Sequence, residues 1–178
     1  MSMLATVSAC FRRGARGWLI VGLTVLFAAF EAATVPLLRR APGGTRQPLD
    51  ARFFYTPEEA FSTLGHYAAA KPVWISTYLT WDTVNPVFYA SILALLISWL
   101  LGPGSRLHKL NVVPLGAGAF DLLENMSIVT LLAVYPRRVD VVAWLSTGFT
   151  MSKVCLLGAS AALVTFGVCG RATKMFRR

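Results

Sequence analysis

The segment Pro114–Val134 reads PLGAGAFDLLENMSIVTLLAV and decides how the rest of the chain is interpreted. It is apolar and long enough to cross a bilayer, which takes about 20 residues, yet it carries two carboxylates and an amide near its middle. At helical spacing, Asp121, Glu124 and Asn125 project from one face. A charged side chain at the centre of a membrane helix costs roughly 2.5–3.5 kcal/mol on insertion scales. Such a cluster indicates a specific use.

The composition is that of a membrane protein. Hydrophobic residues make up 56% of the chain and charged residues 14%, whereas a soluble domain carries about 25% charge. The net charge of +9 comes from basic residues at both termini and between apolar runs, as membrane orientation requires. A nucleic-acid partner would need a basic face on a folded soluble unit. We therefore exclude nucleic acid as a partner and expect the lipid bilayer to be the partner of this chain.

The apolar runs predict a single all-α polytopic domain over residues 1–178 with four transmembrane helices. The predicted spans lie at about 17–38, 83–101, 112–134 and 141–169. The first is too long for the apolar core of a cleaved signal peptide and is predicted to be retained. Pro86 predicts a kink or an early turn in the second, which we expect Gly102-Pro103-Gly104 to end.

Residues 39–82 form a predicted non-cytoplasmic loop. It opens with a turn-rich stretch over 41–48 that predicts no regular structure. Thr56-Pro57-Glu58-Glu59 then predicts a capping box with proline at the first helical position. The helix over about 57–70 places apolar residues on one face, namely Phe61, Leu64 and Ala68. An amphipathic helix on the membrane surface is the simplest interpretation, and a lid over a membrane site is the alternative.

The distribution of Lys and Arg outside the spans predicts the orientation. One side holds Arg12, Arg13, Arg16, Arg106, Lys109, Arg171, Lys174, Arg177 and Arg178, and the other holds Arg39, Arg40, Arg46, Arg52, Lys71, Arg137 and Arg138. The larger group lies in short segments, where the positive-inside rule applies best. We therefore expect both termini in the cytoplasm.

Ionisable groups of three predicted spans reach a similar depth. At about 1.5 Å per residue from the cytoplasmic end, Glu31, Asp121, Glu124 and Lys153 all fall in one middle slab of the membrane. We expect Lys153 to pair with one or more of these carboxylates, and some carboxylates to keep a proton. For Lys153 a purely counter-ionic role is the alternative to a chemical one.

The second span adds a polar face. Asp82, Asn85 and Tyr89 recur at helical spacing, and we expect them to extend the same site. Asp82 has an alternative interpretation as an interfacial residue, because Tyr78 and Trp81 beside it are typical of the aromatic belt.

Two segments carry a resemblance to known proteins. Residues 81–89 read WDTVNPVFY and residues 120–125 read FDLLEN, and over about 54–136 the chain resembles small four-helix membrane proteins for which no activity is established. The Asp-x-x-Glu-Asn pattern is the most specific part. The resemblance implies a site that includes Asp82, without implying a mechanism.

Three functions fit these features. The first is a membrane-embedded enzyme or binding protein for a lipophilic small molecule, such as a lipid or isoprenoid. Asp121 or Glu124 would donate or accept a proton, Asn125 would orient it and Lys153 would tune the charge. The second is a proton- or cation-coupled transporter that forms a homo-oligomer. The third is a scaffold or assembly factor. No metal-ligand or phosphate-loop motif occurs, so we predict neither metal nor cofactor.

Overall fold

The computed structural model describes residues 3–45, 47–102 and 105–176, and within these ranges the chain is helical with no strand. The helices are α1 (Met3–Gly14), α2 (Gly17–Arg40), α3 (Pro57–Tyr67), α4 (Lys71–Leu79), α5 (Trp81–Leu101), α6 (Val113–Val134) and α7 (Asp140–Phe176). Short 3₁₀ turns lie at Leu49–Ala51, Ala68–Ala70 and Arg106–Val112. Arg46, Pro103, Gly104, Arg177 and Arg178, used in the predictions above, lie outside the described residues.

Four of these helices are long and apolar enough to cross a membrane, which confirms the predicted fold class. They are α2, α5, α6 and α7. Helix α6 packs along α7 and against α5, so these three form the centre of the bundle. Helix α2 packs mainly on α5, where the rings of Phe27 and Phe30 stack on Phe88. It is therefore peripheral.

The second span is interrupted at Thr80 rather than at Pro86. Helix α4 ends at Leu79, and α5 begins one residue later and continues through Pro86. Pro86 is the sixth residue of α5, and its nitrogen cannot donate to the carbonyl of Asp82. The turn in this span therefore lies at Thr80, before the helix that contains Pro86.

Helix α3 forms as its capping box predicts. The Glu59 amide donates to Thr56 Oγ1 at 3.3 Å, and the Thr56 amide donates to Glu59 Oε2 at 2.7 Å. Its outer face is exposed, but Phe61 and Leu64 are buried in a cluster with the ends of α4, α6 and α7. Ala68 lies beyond the helix end and is exposed. Helix α3 therefore covers the end of the bundle at which α6 ends and α7 begins.

The N-terminal helix α1 was not predicted from the sequence. It packs against α5 and the 3₁₀ turn Arg106–Val112. The buried amide of Asn111 holds it there, donating to the Ser8 carbonyl at 3.0 Å and to Ser98 Oγ at 2.8 Å. Helix α1 is thus a further helix that packs on the bundle at this end, against α5 and the turn before α6.

We expect Thr56→Ala to destabilise the protein by about 1 kcal/mol, because the α3 amide of Glu59 loses its capping acceptor. Thermal unfolding of the purified protein in detergent measures this. Thr130→Ala is the matched control, since that exposed hydroxyl bonds only the Met126 carbonyl of its own helix. Equal melting temperatures for the two variants would contradict the capping role.

Candidate functional site

The Lys153 ammonium is the centre of a buried charge network. Its Nζ donates to Asp121 Oδ1 at 3.0 Å and to the Asp50 carbonyl at 3.0 Å. It also lies 2.6 Å from Glu124 Oε2, as an ion pair whose angles fall outside those of a hydrogen bond. An ammonium has three protons and no acceptor; Lys153 donates two hydrogen bonds and makes its third close contact as an ion pair. The side chains are 8% exposed at Lys153 and 0% at Glu124.

The other oxygens of these carboxylates also have partners. Tyr89 donates to Asp121 Oδ2 at 2.8 Å. Thr150 Oγ1 lies 2.5 Å from Glu124 Oε1, a short distance that is typical of a hydroxyl donating to a carboxylate. Both carboxylates are therefore fixed at each of their two oxygens.

Helical spacing brings these groups together. On α6, Asp121 and Glu124 are three residues apart and face α7, where Thr150 and Lys153 have the same spacing. Tyr89 approaches from α5. The predicted pairing of Lys153 with Asp121 and Glu124 is present, and Tyr89 belongs to the same network.

The segment between α2 and α3 enters the site, which the sequence did not predict. Leu49 and Tyr55 are fully buried. Tyr55 Oη donates to Ser146 Oγ at 2.7 Å, and Thr147 donates to the Tyr55 carbonyl at 2.7 Å. This segment therefore packs on α7 and delivers the Asp50 carbonyl to Lys153.

Asp50 also brings a third carboxyl group to the network. Tyr78 Oη donates to Asp50 Oδ1 at 3.1 Å. Burial raises the pKa of Asp50 above its ordinary value of 3.8, the Lys153 ammonium opposes that rise, and Asp121 adds to it. Asp50, Tyr78 and Thr150 were missing from the predicted site. The one available signal was that Asp50 is the only acid between α2 and the capping box.

Asn125 compensates for the backbone defect caused by Pro86. Because proline has no amide proton, the carbonyl four residues earlier, on Asp82, loses its helical donor. Asn125 Nδ2 donates to that carbonyl at 3.0 Å. Asn125 Oδ1 has no hydrogen-bond partner among the described residues, although Asn125 is only 2% exposed. An unsatisfied buried oxygen beside an ionic network is a candidate acceptor for a bound molecule.

Asp82 and Asn85 are half-buried beside this contact. In the part of the chain that the structure describes, their side chains make no hydrogen bond or ion pair. Asp82 interacts electrostatically with Asp50, Asp121 and Lys153. Asp82 thus lies at the edge of the network, and its carboxyl oxygens have no hydrogen-bond partner among the described residues.

The expectation that Glu31 joins this cluster is wrong. Glu31 lies on the peripheral helix α2, and its carboxylate makes no hydrogen bond or ion pair with any described residue. The depth estimate gave a similar height for Glu31 and Lys153, but height does not determine which way a helix face points.

Comparisons with family models, with curated proteins and with solved structures found no match for this chain. Within residues 3–45, 47–102 and 105–176, no group of three or more His, Cys, Asp or Glu is arranged to hold a metal ion. The site is therefore interpreted from its own geometry.

We expect Lys153→Met to destabilise the protein by about 3–5 kcal/mol, because Asp121 and Glu124 then share a buried pocket without a counter-ion. Adding Glu124→Gln removes one of the two charges and should restore part of the melting temperature. Lys109→Met, at an exposed lysine in the turn Arg106–Val112, is the matched control. A Lys153→Met variant that melts like this control would show that the network contributes no stability.

We expect Asp50→Asn to change how stability depends on pH. The pKa of Asp50 is raised in the folded protein. As the pH rises above about 4, the unfolded chain releases this proton while the folded protein keeps it. The wild type therefore loses stability as the pH rises through this range. The asparagine variant lacks this loss. The melting temperature of the variant minus that of the wild type should therefore increase from pH 4 to pH 8. Parallel profiles would contradict the assignment.

Proposed function

We propose that the protein is a membrane-embedded enzyme that performs acid–base chemistry on a lipophilic small molecule, such as a lipid or isoprenoid. The observation that carries this proposal is the buried Lys153 ammonium, held by Asp121, Glu124 and the Asp50 carbonyl. Ionisable groups inside a membrane protein are costly and occur mainly where function requires them.

The network contains more acid than base. The carboxylates of Asp121 and Glu124 contact a single ammonium, and the carboxyl groups of Asp50 and Asp82 lie near it. In a medium of low dielectric constant, the full excess of negative charge is unfavourable. The group therefore holds at least one proton at neutral pH. A proton kept in a water-poor site is what acid–base catalysis inside a membrane needs.

The contacts suggest separate roles for the site residues. Lys153 is saturated and acts as the counter-ion, and the oxygens of Asp121 and Glu124 are all engaged. Asp82 has free oxygens and is the best candidate to exchange a proton with substrate. Asn125 Oδ1, buried and unpartnered, would accept a hydrogen bond from a hydroxyl or amine of the same molecule. These roles move the proton donor from the α6 carboxylates to Asp82.

An apolar groove supports a lipophilic substrate. It lies between α5 and α6, has a volume of about 270 Å³ and is lined by residues that include Pro86, Ala90, Gly118 and Ala119. Pro86 and Ala90 flank Tyr89, and Gly118 lies one turn before Asp121. Tyr89 and Asp121 do not line the groove themselves, and a chain lying in it would run along α5 and α6 within about one helical turn of both residues.

A purely structural role of the network is the second candidate function. The observation that favours it is that Lys153 already has three oxygen neighbours within the protein. A network whose charges are all paired also fixes helices and loops against one another. In that case the protein would be a scaffold, and removal of a carboxylate would reduce the amount of folded protein without changing any product.

Lipid analysis of cells that lack the protein tests the enzymatic proposal. Wild type should restore the lipid profile, whereas Asp82→Asn and Glu124→Gln should accumulate as folded protein and fail to restore it. The scaffold alternative predicts reduced folded protein instead. A lipid profile that is the same with wild type, with either variant and without the protein would exclude the enzyme.

The groove gives a separate prediction. Ala119→Phe should fill it and lower turnover at least about tenfold, because a substrate chain could no longer occupy the groove. Ala161→Phe places the same ring on an exposed position of α7 and should leave turnover unchanged. Equal activity of the two variants would show that substrate does not use the groove.

A further inference from the structure

A larger cavity lies at the non-cytoplasmic end, where α2 leaves the bundle. Its volume is about 600 Å³. The walls come from the last turns of α2, from the segment that follows it and from α4, and include Val35, Leu38, Arg39, Thr45, Gln47 and Trp74. The residues of the carboxylate network do not line it, so it is a separate site.

Arg39 gives this cavity an uncompensated positive charge. Its guanidinium makes no hydrogen bond or ion pair within the described ranges, which contain all eight Asp and Glu residues of the chain. Two arginines of this end differ in this respect: Arg52 donates to the Gln47 carbonyl and to Thr63, and Arg138 pairs with Glu58. Arg39 is thus available to an anion.

Apolar residues also line the cavity. Val35 and Leu38 belong to the membrane helix α2. Trp74 already donates its indole proton to the Pro42 carbonyl at 2.8 Å, so it offers the cavity an aromatic surface rather than a donor. A cavity with a cation at one end and apolar walls at the membrane boundary suits an amphiphile with an anionic head.

We propose that this cavity binds the phosphate head group of an anionic membrane phospholipid. Arg39 contacts the phosphate, for which a guanidinium is well suited, and the first carbons of the acyl chains lie along Val35 and Leu38. Free phosphate carries the same kind of charge, but it has no apolar part that could pack against Val35 and Leu38. The bound lipid also touches Pro48, directly before the turn whose Asp50 carbonyl receives Lys153.

Native mass spectrometry of the full-length protein in detergent tests this site with phosphatidylglycerol and phosphatidylcholine as probes. Wild type should retain phosphatidylglycerol in preference, and Arg39→Gln should reduce retention about tenfold, as for the loss of a charged hydrogen bond. Arg39→Lys should keep most of it. Arg40→Gln, a neighbouring exposed arginine outside the cavity lining, should behave like wild type.

Three results would overturn the proposal. Equal losses in Arg39→Gln and Arg40→Gln would indicate general surface attraction, and equal retention of the two lipids would remove the role of the anionic head. Displacement of the lipid by millimolar inorganic phosphate would assign the cavity to free phosphate. Because Arg39 is exposed, its variants should melt like wild type in the same detergent, which separates lost binding from lost folding.

Discussion

The arrangement of this protein depends on one buried ammonium. Lys153 on α7 brings Asp121 and Glu124 of α6 to one point, and Asp121 in turn holds Tyr89 of α5. The Asp50 carbonyl occupies the remaining position on Lys153, so the segment between α2 and α3 is fixed over the bundle. Breaking a buried ion pair costs more than forming it gains, which is why the three central helices and this segment are expected to depend on one another.

The missing amide proton of Pro86 explains why Asn125 follows the carboxylates in α6. Pro86 leaves the Asp82 carbonyl without a helical donor, and Asn125 supplies one. The pairing fixes α5 against α6 at the height of the charge network. The other oxygen of Asn125 is left buried and free, next to the uncommitted carboxyl group of Asp82.

Hydropathy and local spacing predicted most of the fold and half of the site. The spans, the capping box of α3 and the shared face of Asp121, Glu124 and Asn125 all depend on residues close in sequence. Asp50 could not be predicted, because its approach to Lys153 is a tertiary contact of a segment that reads as an irregular loop. Glu31 was assigned wrongly for a related reason: depth along a helix follows from sequence, but the direction of its face depends on how α2 packs.

The central claim is that the Lys153 ammonium is buried between two carboxylates, and solid-state NMR on the protein in lipid bilayers tests it directly. Dipolar couplings between ¹⁵N at Lys153 and ¹³C at the carboxyl groups of Asp121 and Glu124 should be strong, as nitrogen–oxygen contacts of 3.0 and 2.6 Å require. The Lys153 signal is assigned by its loss in Lys153→Met. Weak couplings, with Lys153 protons exchanging with water as fast as those of exposed Lys109, would contradict the network and the function proposed from it.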